Sequence, residues 1–229
     1  MKTSRPTIAF SMIDLLLIIA AVVGIAFVIL PWLAKSRSRG SGISCANNLK
    51  QINYAFRIWA GDYNDLFPTQ VSVTNGGAME LANQGSAYAV FLIMSNELNT
   101  PKILFCPKES NSKRRMASVF ASTVPPGSPA GIVPFTPTNN LSFFVGLDAT
   151  QTNAQTILAG DDNLMLGKVR PRPGLWLVPT NAPLAWTKER HINQGFFAIS
   201  DGSVQSLTTA ALSSTLSNTG VATNRLAMP

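Results

Sequence analysis

The sequence has few charged residues and few of the residues that usually build catalytic sites. Of its 229 residues, 13% are charged and a single one, His191, is histidine. An average soluble domain has about 25% charged residues. The sequence contains no G-x-S-x-G, P-loop, H-E-x-x-H or dinucleotide fingerprint. A catalytic triad would have to use His191, with no activated serine or cysteine beside it. An enzyme is therefore not expected.

Metal-binding spacings are absent as well. The two cysteines, Cys45 and Cys106, form no CxxC pair, so a zinc site built from cysteine and histidine is not expected, and neither is a cofactor. Calcium stays as the alternative, because it takes about 6–8 oxygen ligands and Asp148, Asp161 and Asp162 could supply some. The sequence lacks the D-x-[DN]-x-[DN]-G spacing, however, and the adjacent Asp161 and Asp162 suit a turn equally well.

Long hydrophobic runs are confined to one segment near the N-terminus. Every residue from Leu15 to Leu30 is apolar or glycine, and with its apolar flanks the run reaches the ~20 residues that cross a bilayer. A cleavable secretory signal has a shorter core of ~7–15 residues and a small-x-small cleavage site, so an anchor is favoured. The short leader predicts a cytoplasmic N-terminus. Basic residues on both sides of the run would lie at headgroup level: Lys2, Arg5, Lys35, Arg37 and Arg39.

The start of this run carries a recognisable motif. Residues 9–16, AFSMIDLL, resemble the prepilin cleavage and methylation motif, usually GFTLIELL, of type IV pilins and type II secretion pseudopilins. The resemblance implies that a prepilin peptidase cuts between Ala9 and Phe10 and N-methylates Phe10. Asp14 would then pair with the free amine of a neighbouring subunit during filament assembly, and Pro31 matches the proline that kinks this helix in many such proteins. Here Ala9 replaces the usual Gly, and Asp14 replaces the usual Glu.

The next segment predicts an amphipathic helix. In residues 43–68, ISCANNLKQINYAFRIWAGDYNDLFP, apolar residues recur at three- and four-residue spacing. Gly61 and Pro68 mark its end. The segment is similar to pseudopilin-like proteins that read SCLNNLKQIGLALRMYADDNNGRFP. We expect one helix face to be buried, formed by Ile43, Ala46, Leu49, Ile52, Phe56 and Trp59.

The C-terminal part resembles the same family. The recurring pattern of that family in this part is a His, nine further residues and then Asp-Gly. It is found here as His191 and Asp201-Gly202. Asp-Gly between two strand-like runs predicts a two-residue type I′ hairpin, because both turn positions need positive φ. His191 would precede the first strand and pin a loop by a hydrogen bond to the backbone.

Between the two ends the pattern predicts one short helix and several strands. The helix is expected over Ala87–Leu98. Strands are expected over Lys102–Cys106, Leu141–Leu147, Gln155–Ala159 and Leu175–Val178.

The two cysteines leave two hypotheses open. If Cys45 and Cys106 face the periplasm, a disulfide between them is chemically allowed, and two buried free thiols are the alternative. The family resemblance favours the bridge.

The net charge of +7 raises the question of nucleic acid. Two of the three basic clusters flank the apolar run and have a membrane explanation. The third, Lys113-Arg114-Arg115, is the candidate surface for DNA or a polymer, but the sequence shows no basic stripe with interleaved aromatics. Nucleic acid is therefore not the expected partner.

These observations predict an α+β, pilin-like fold, in which a long N-terminal helix packs on a small antiparallel sheet. The expected segments are a leader (1–9), a transmembrane helix (10–34), its amphipathic continuation (35–61) and a periplasmic head (62–229). The expected role is a pseudopilin-like subunit of a type II secretion or type IV pilus-like filament in a bacterial inner membrane. Its partners would be a prepilin peptidase and other pilin subunits. The alternatives are an unprocessed, membrane-anchored binding domain and a minor pilin that binds DNA or a surface polymer.

Overall fold

The protein has an α+β fold, as the sequence predicts. The computed structural model describes residues 12–124, 126–137, 139–170 and 172–229, so the processing site at Ala9 and Phe10 lies outside the described residues. Two compact units, Met1–Gly40 and Ser41–Pro229, are treated separately below. The second unit begins within the first helix, so residues 41–61 belong to the sheet domain.

The N-terminal unit consists, in its described part, of the first half of helix α1 (Met12–Gly61). Its segment Met12–Leu30 is long and apolar enough to cross a membrane, and none of it is buried. Asp14 lies in the first turn of α1, and Pro31 also falls within the helix. The segment is consistent with a single-pass anchor.

The second half of α1 is built into the sheet domain. Its buried face runs through Cys45, Leu49, Ile52, Phe56 and Trp59, at alternating spacings of four and three residues. The predicted face was therefore wrong at its start: Ile43 is 63% exposed. Cys45 begins the stripe in its place, because cysteine is a small apolar residue that cores accept readily.

The sheet has six antiparallel strands in the order β4-β8-β1-β2-β6-β7. Alternate residues face opposite sides, so Val145, Ala198 and Ala227 join a core with α1, whereas Phe144 and Phe197 join a second core on the other face. The strands are β1 (Phe143–Gly146), β2 (Ile157–Asp161), β4 (Gly174–Pro179), β6 (Gln194–Ile199), β7 (Val204–Thr208) and β8 (Thr223–Met228).

Short elements cover the two faces. Helices α2 (Met79–Asn83), α3 (Ala87–Ile93) and α4 (Ser95–Leu98) follow α1, and α5 (Thr209–Asn218) follows β7. A separate hairpin pairs β3 (Leu164–Leu166) with β5 (Leu184–Trp186). Three 3₁₀ helices complete the described elements: Pro68–Gln70, Val73–Asn75 and Pro101–Leu104.

The predicted strand at Lys102–Cys106 is wrong. Residues Pro101–Leu104 form a 3₁₀ helix, capped by the Thr100 side chain, which accepts the backbone N–H of Lys102. Proline at the first helical position favours this start, because its φ is preset and its missing N–H is not needed there. The other three strand predictions overlap β1, β2 and β4, and the predicted helix at Ala87–Leu98 is divided into α3 and α4.

The Asp201-Gly202 hairpin exists, but its turn is not type I′. Gly202 has a φ of 96°, whereas φ of Asp201 is negative, and the N–H of Gly202 donates to Ile199 O at 3.0 Å. This geometry is a three-residue loop with a glycine bulge. The cause is long-range, because the N–H groups of Ser200 and Asp201 donate to carbonyls of Thr156 and Ala154.

The close packing across β2 gives a test of the fold. A Cβ at Gly160 would lie 2.5 Å from a ring carbon of Phe197 and 2.7 Å from one of Phe144. We expect Gly160→Ala to lower the free energy of unfolding by about 1–3 kcal/mol, because overpacked cores must shift. Denaturant unfolding of the full chain in detergent measures this change.

Gly61→Ala is the matched control. No described atom lies within 4 Å of a Cβ at Gly61, and alanine is the better helix former, so this variant should lose no stability. Equal effects of the two substitutions would contradict the packing described for β2.

Candidate functional site

A disulfide joins α1 to the segment that follows the third 3₁₀ helix. Cys45 and Cys106 are bonded, with their Cα atoms 5.1 Å apart and a sequence separation of 61 positions, and both are fully buried. Closing a loop of this length contributes about 4 kcal/mol in the chain-entropy model. The bond fixes the start of the buried face of α1.

His191 lies directly against this disulfide. Its Nε2 is 3.5 Å from Cys106 Sγ and 3.5 Å from an Asp161 carboxylate oxygen, and its ring meets Phe196 edge-on at 5.2 Å. Among the described residues, the contacts found for the His191 ring are with side chains rather than with the backbone. Ile192 and Asn193, which follow, have φ of 55° and 60°, and a β-branched residue rarely adopts this conformation.

Arg190, the preceding residue, is the centre of a buried ionic cluster. Its guanidinium lies 2.5 Å from Glu109, 2.7 Å from Asp162 and 3.6 Å from Asp161, and it also donates to the carbonyl of Ser142 at 2.9 Å. The side chain is only 4% exposed. Such a charge is tolerated inside a protein only when it is paired and hydrogen-bonded.

Arg114 supplies the second cation of the cluster. It lies 2.5 Å from Asp162 and 3.1 Å from Glu109, and its side chain is 13% exposed. The proposed basic surface at Lys113-Arg114-Arg115 is therefore not a surface of three free cations. Its central member is turned inward to carboxylates, and this arrangement weakens the case for a DNA-binding patch.

The cluster has three carboxylates and two guanidinium groups, and the pKa values reflect this imbalance. Burial would raise the pKa of Glu109, but Arg190 and other donors outweigh it and lower the pKa to about 2. Burial raises the pKa of Asp161 to about 7. Burial also lowers the pKa of His191 to about 4, with Arg190 acting in the same direction. Burial thus favours the uncharged forms of both His191 and Asp161.

The same arginines bear on the hypothesis that calcium binds at Asp161 and Asp162. Arg190 lies close to both carboxylates, and Asp161 also accepts the backbone N–H of Phe196 at 2.9 Å. Asp148, the third candidate, is engaged by Arg225 at 2.8 Å. These carboxylates are already engaged by guanidinium groups, and calcium needs about 6–8 oxygen ligands, so the geometry does not favour calcium at these residues.

A pocket of about 210 Å³ adjoins the cluster. Two of its lining residues, Asn163 and Thr187, are more than nine-tenths buried, and among the described residues their side-chain oxygens have no hydrogen-bond partner. Small-molecule sites are usually lined mostly by apolar groups. This pocket is polar and suits ordered water better.

The spacing between His191 and Asp201 corresponds to the length of one strand. β6 lies between them, and six residues of strand span about 20 Å. His191 meets the disulfide of α1 at one end. At the other end, Arg57 of α1 donates to Ser200 O at 2.6 Å and Asn53 of α1 donates to Ile199 O at 2.7 Å.

The polar residues of the segment 43–68 therefore connect α1 to its surroundings. From Cys45 to Arg57 the helix rises about 18 Å, which matches the length of β6. Between these residues, the Asn48 side chain donates to Phe105 O at 3.0 Å. The motif in residues 43–68 and the His191/Asp201-Gly202 motif thus face each other across α1 and β6.

Sequence reasoning missed the ionic cluster. Nothing in the sequence pattern marks Glu109 or Arg190 as buried, because the charged partners of Arg190 lie 28 to 81 positions away along the chain, from Asp162 to Glu109. The one available signal was the position of Arg190 next to His191.

Comparisons with known proteins give no match: no protein-family model, no curated protein and no solved structure matches the chain. The pilin resemblance therefore depends on the motifs in the sequence.

The pKa of Glu109 gives a test of the cluster. Glu109→Gln should lower the free energy of unfolding by about 3–5 kcal/mol at neutral pH, because Arg190 and Arg114 both lose a buried ionic partner. The folded-state pKa of Glu109 is lowered, so its contribution is present above the unfolded pKa of about 4.3. It is lost as the pH falls towards 2. Wild type and variant should therefore converge in acid, as measured by urea unfolding across pH.

Glu189→Gln is the control, because Glu189 forms an exposed ion pair with Arg170. It should cost at most about 1 kcal/mol. A Glu109→Gln effect no larger than this, or a gap that persists at pH 2, would contradict the role given to Glu109.

Proposed function

We propose that the protein is a structural, pilin-like subunit, processed by a prepilin peptidase and assembled into a filament through its N-terminal helix. The observation that carries the proposal is the exposed apolar segment Met12–Leu30, with Asp14 in its first turn. This segment is preceded in sequence by the motif around Ala9 and Phe10. The proposed system is type II secretion-like or type IV pilus-like.

The position of the acid supports assembly. A carboxylate at the middle of a span costs roughly 2.5–3.5 kcal/mol on insertion scales, and near the end of a span it costs less. Asp14 lies at the start of the span, where the N-terminal amine of a processed neighbour would also lie. A charge pair between copies offsets the cost of the acid in lipid and selects a relative position of the helices.

The connection between α1 and the sheet domain also supports this role. A filament subunit must transmit force between its helix and its head. The disulfide at Cys45, with the hydrogen bonds from Asn53 and Arg57 to the end of β6, fixes the lower part of α1 to the sheet. Such fastening would be unnecessary in a domain that is merely tethered by a flexible anchor.

The two alternatives make different demands on the chain. An anchored binding domain would remain unprocessed and would use a pocket, but the pocket near Arg190 is small and polar. A DNA-binding minor pilin would use Lys113, Arg114 and Arg115, yet Arg114 is paired with Glu109 and Asp162. Both observations favour the structural role.

Mass spectrometry of the N-terminus, after co-expression with a prepilin peptidase, tests the proposal. We expect a chain that starts at N-methylated Phe10. Ala9→Gly should be processed at least as completely, because glycine is the usual residue there in the family that the motif resembles. Ala9→Leu should block cleavage, since a bulky side chain replaces a small one.

Two results would contradict the proposal. An intact leader in both wild type and Ala9→Gly would favour a permanent anchor. Cleavage downstream of Leu30 would indicate an ordinary secreted protein.

A further inference from the structure

The fold brings together four metal-ligand side chains that the sequence keeps far apart. The ligand atoms of Cys45, Cys106 and His191 all lie within 4.8 Å of one another. Asp161 adds a carboxylate oxygen 3.5 Å from His191 Nε2. All four residues are buried. The expectation that no cysteine and histidine site exists was based on spacing along the chain, and the fold removes that argument.

Two of the distances in this group match edges of a tetrahedral centre. With Zn–S bonds of about 2.3 Å and Zn–N bonds of about 2.05 Å, the edge between sulfur and nitrogen is about 3.5 Å. The separation of Cys106 Sγ and His191 Nε2 is 3.5 Å. The corresponding edge between nitrogen and oxygen is about 3.3 Å, close to the 3.5 Å found for His191 and Asp161.

We propose that reduction of the Cys45–Cys106 disulfide converts this site into a binding site for one borderline-soft divalent cation of the Zn²⁺ type. Cys45, Cys106 and His191 would be three ligands, and Asp161 the fourth. A dithiol reductant supplies two electrons that break the S–S bond. It becomes a disulfide itself and releases two protons, and the two cysteine thiolates remain to bind the cation.

The charges of the site suit such a cation. Two thiolates and a divalent cation cancel, so the two sulfurs and the cation together add no net charge beside Arg190. Asp161 is fully buried, and its Oδ2, the oxygen beside His191, also accepts the backbone N–H of Phe196, while its Oδ1 lies 3.6 Å from Arg190.

The two sulfurs remain near each other without the bond. Cys45 is held by its helix, which is attached to its surroundings through Asn48, Asn53 and Arg57. Cys106 follows Phe105, whose carbonyl accepts the Asn48 side chain. Reduction therefore frees the thiolates without separating the elements that carry them. The proposal is independent of filament assembly.

A titration of the full chain in detergent with Co²⁺, a spectroscopic substitute for Zn²⁺, tests the proposal. The chain is reduced with a phosphine under argon and compared with the oxidised chain. We expect one Co²⁺ per reduced chain, with thiolate-to-cobalt charge transfer and the visible bands of tetrahedral cobalt, and no such spectrum from the oxidised chain. Added Zn²⁺ should displace the cobalt.

Variants assign the ligands. His191→Ala should weaken binding at least about 100-fold, since even substitution of groups behind the ligands costs 10–100-fold. Asp161→Asn should weaken binding and change the visible bands, because an amide is a poorer ligand than a carboxylate. Asp148→Asn, a carboxylate paired with Arg225, is the control and should leave the titration unchanged. Far-UV circular dichroism confirms that each variant is folded.

The wild-type comparison alone can overturn the proposal, whether or not a variant folds. The same cobalt spectrum in oxidised and reduced chains would do so. So would a reduced chain that binds no cobalt, or one that binds it without a thiolate band. Unchanged affinity in a folded His191→Ala would exclude His191 as a ligand and refute the site as described.

Discussion

The contact between α1 and β6 is the constraint on which the rest of the sheet domain depends. At one end, the Cys45–Cys106 disulfide lies against His191, which precedes β6, and at the other end Asn53 and Arg57 donate to the last carbonyls of the strand region. Between these ends, apolar residues of the helix pack on small residues of the sheet such as Ala198. Small side chains permit the close approach that makes the polar bonds at both ends possible at once.

The ionic cluster around Arg190 is the second constraint. It contributes more to the positions of its neighbours than to net stability. Burying charges costs several kcal/mol per ion, and the pairing recovers this only with good geometry. Here the carbonyl of Ser142 and the carboxylates of Glu109, Asp161 and Asp162 surround one guanidinium. Because Arg190 immediately precedes His191, the cluster fixes the position of the imidazole against the disulfide. An apolar core could not specify this position in the same way.

The sequence was informative where the relevant physics is local. The apolar run, the helix ending at Gly61 and the hairpin at Asp201-Gly202 follow from periodicity and turn chemistry. The turn type was wrong because carbonyls of Ala154 and Thr156 impose the conformation from another loop. The buried face of α1 shifted to Cys45 because the disulfide draws that residue inward. The ionic cluster and the cysteine–histidine site depend on long-range contacts, which no local pattern encodes.

The central claim is that helices from neighbouring copies associate in the membrane through the charge of Asp14. Ala20→Cys places a thiol on the exposed apolar segment, so oxidative cross-linking in membranes of cells with a prepilin peptidase measures this association directly. The account predicts covalent dimers with Asp14 or Asp14→Glu, and their loss with Asp14→Asn at equal protein levels. Equal cross-linking with Asp14→Asn, or no cross-linking in any of the three, would contradict it.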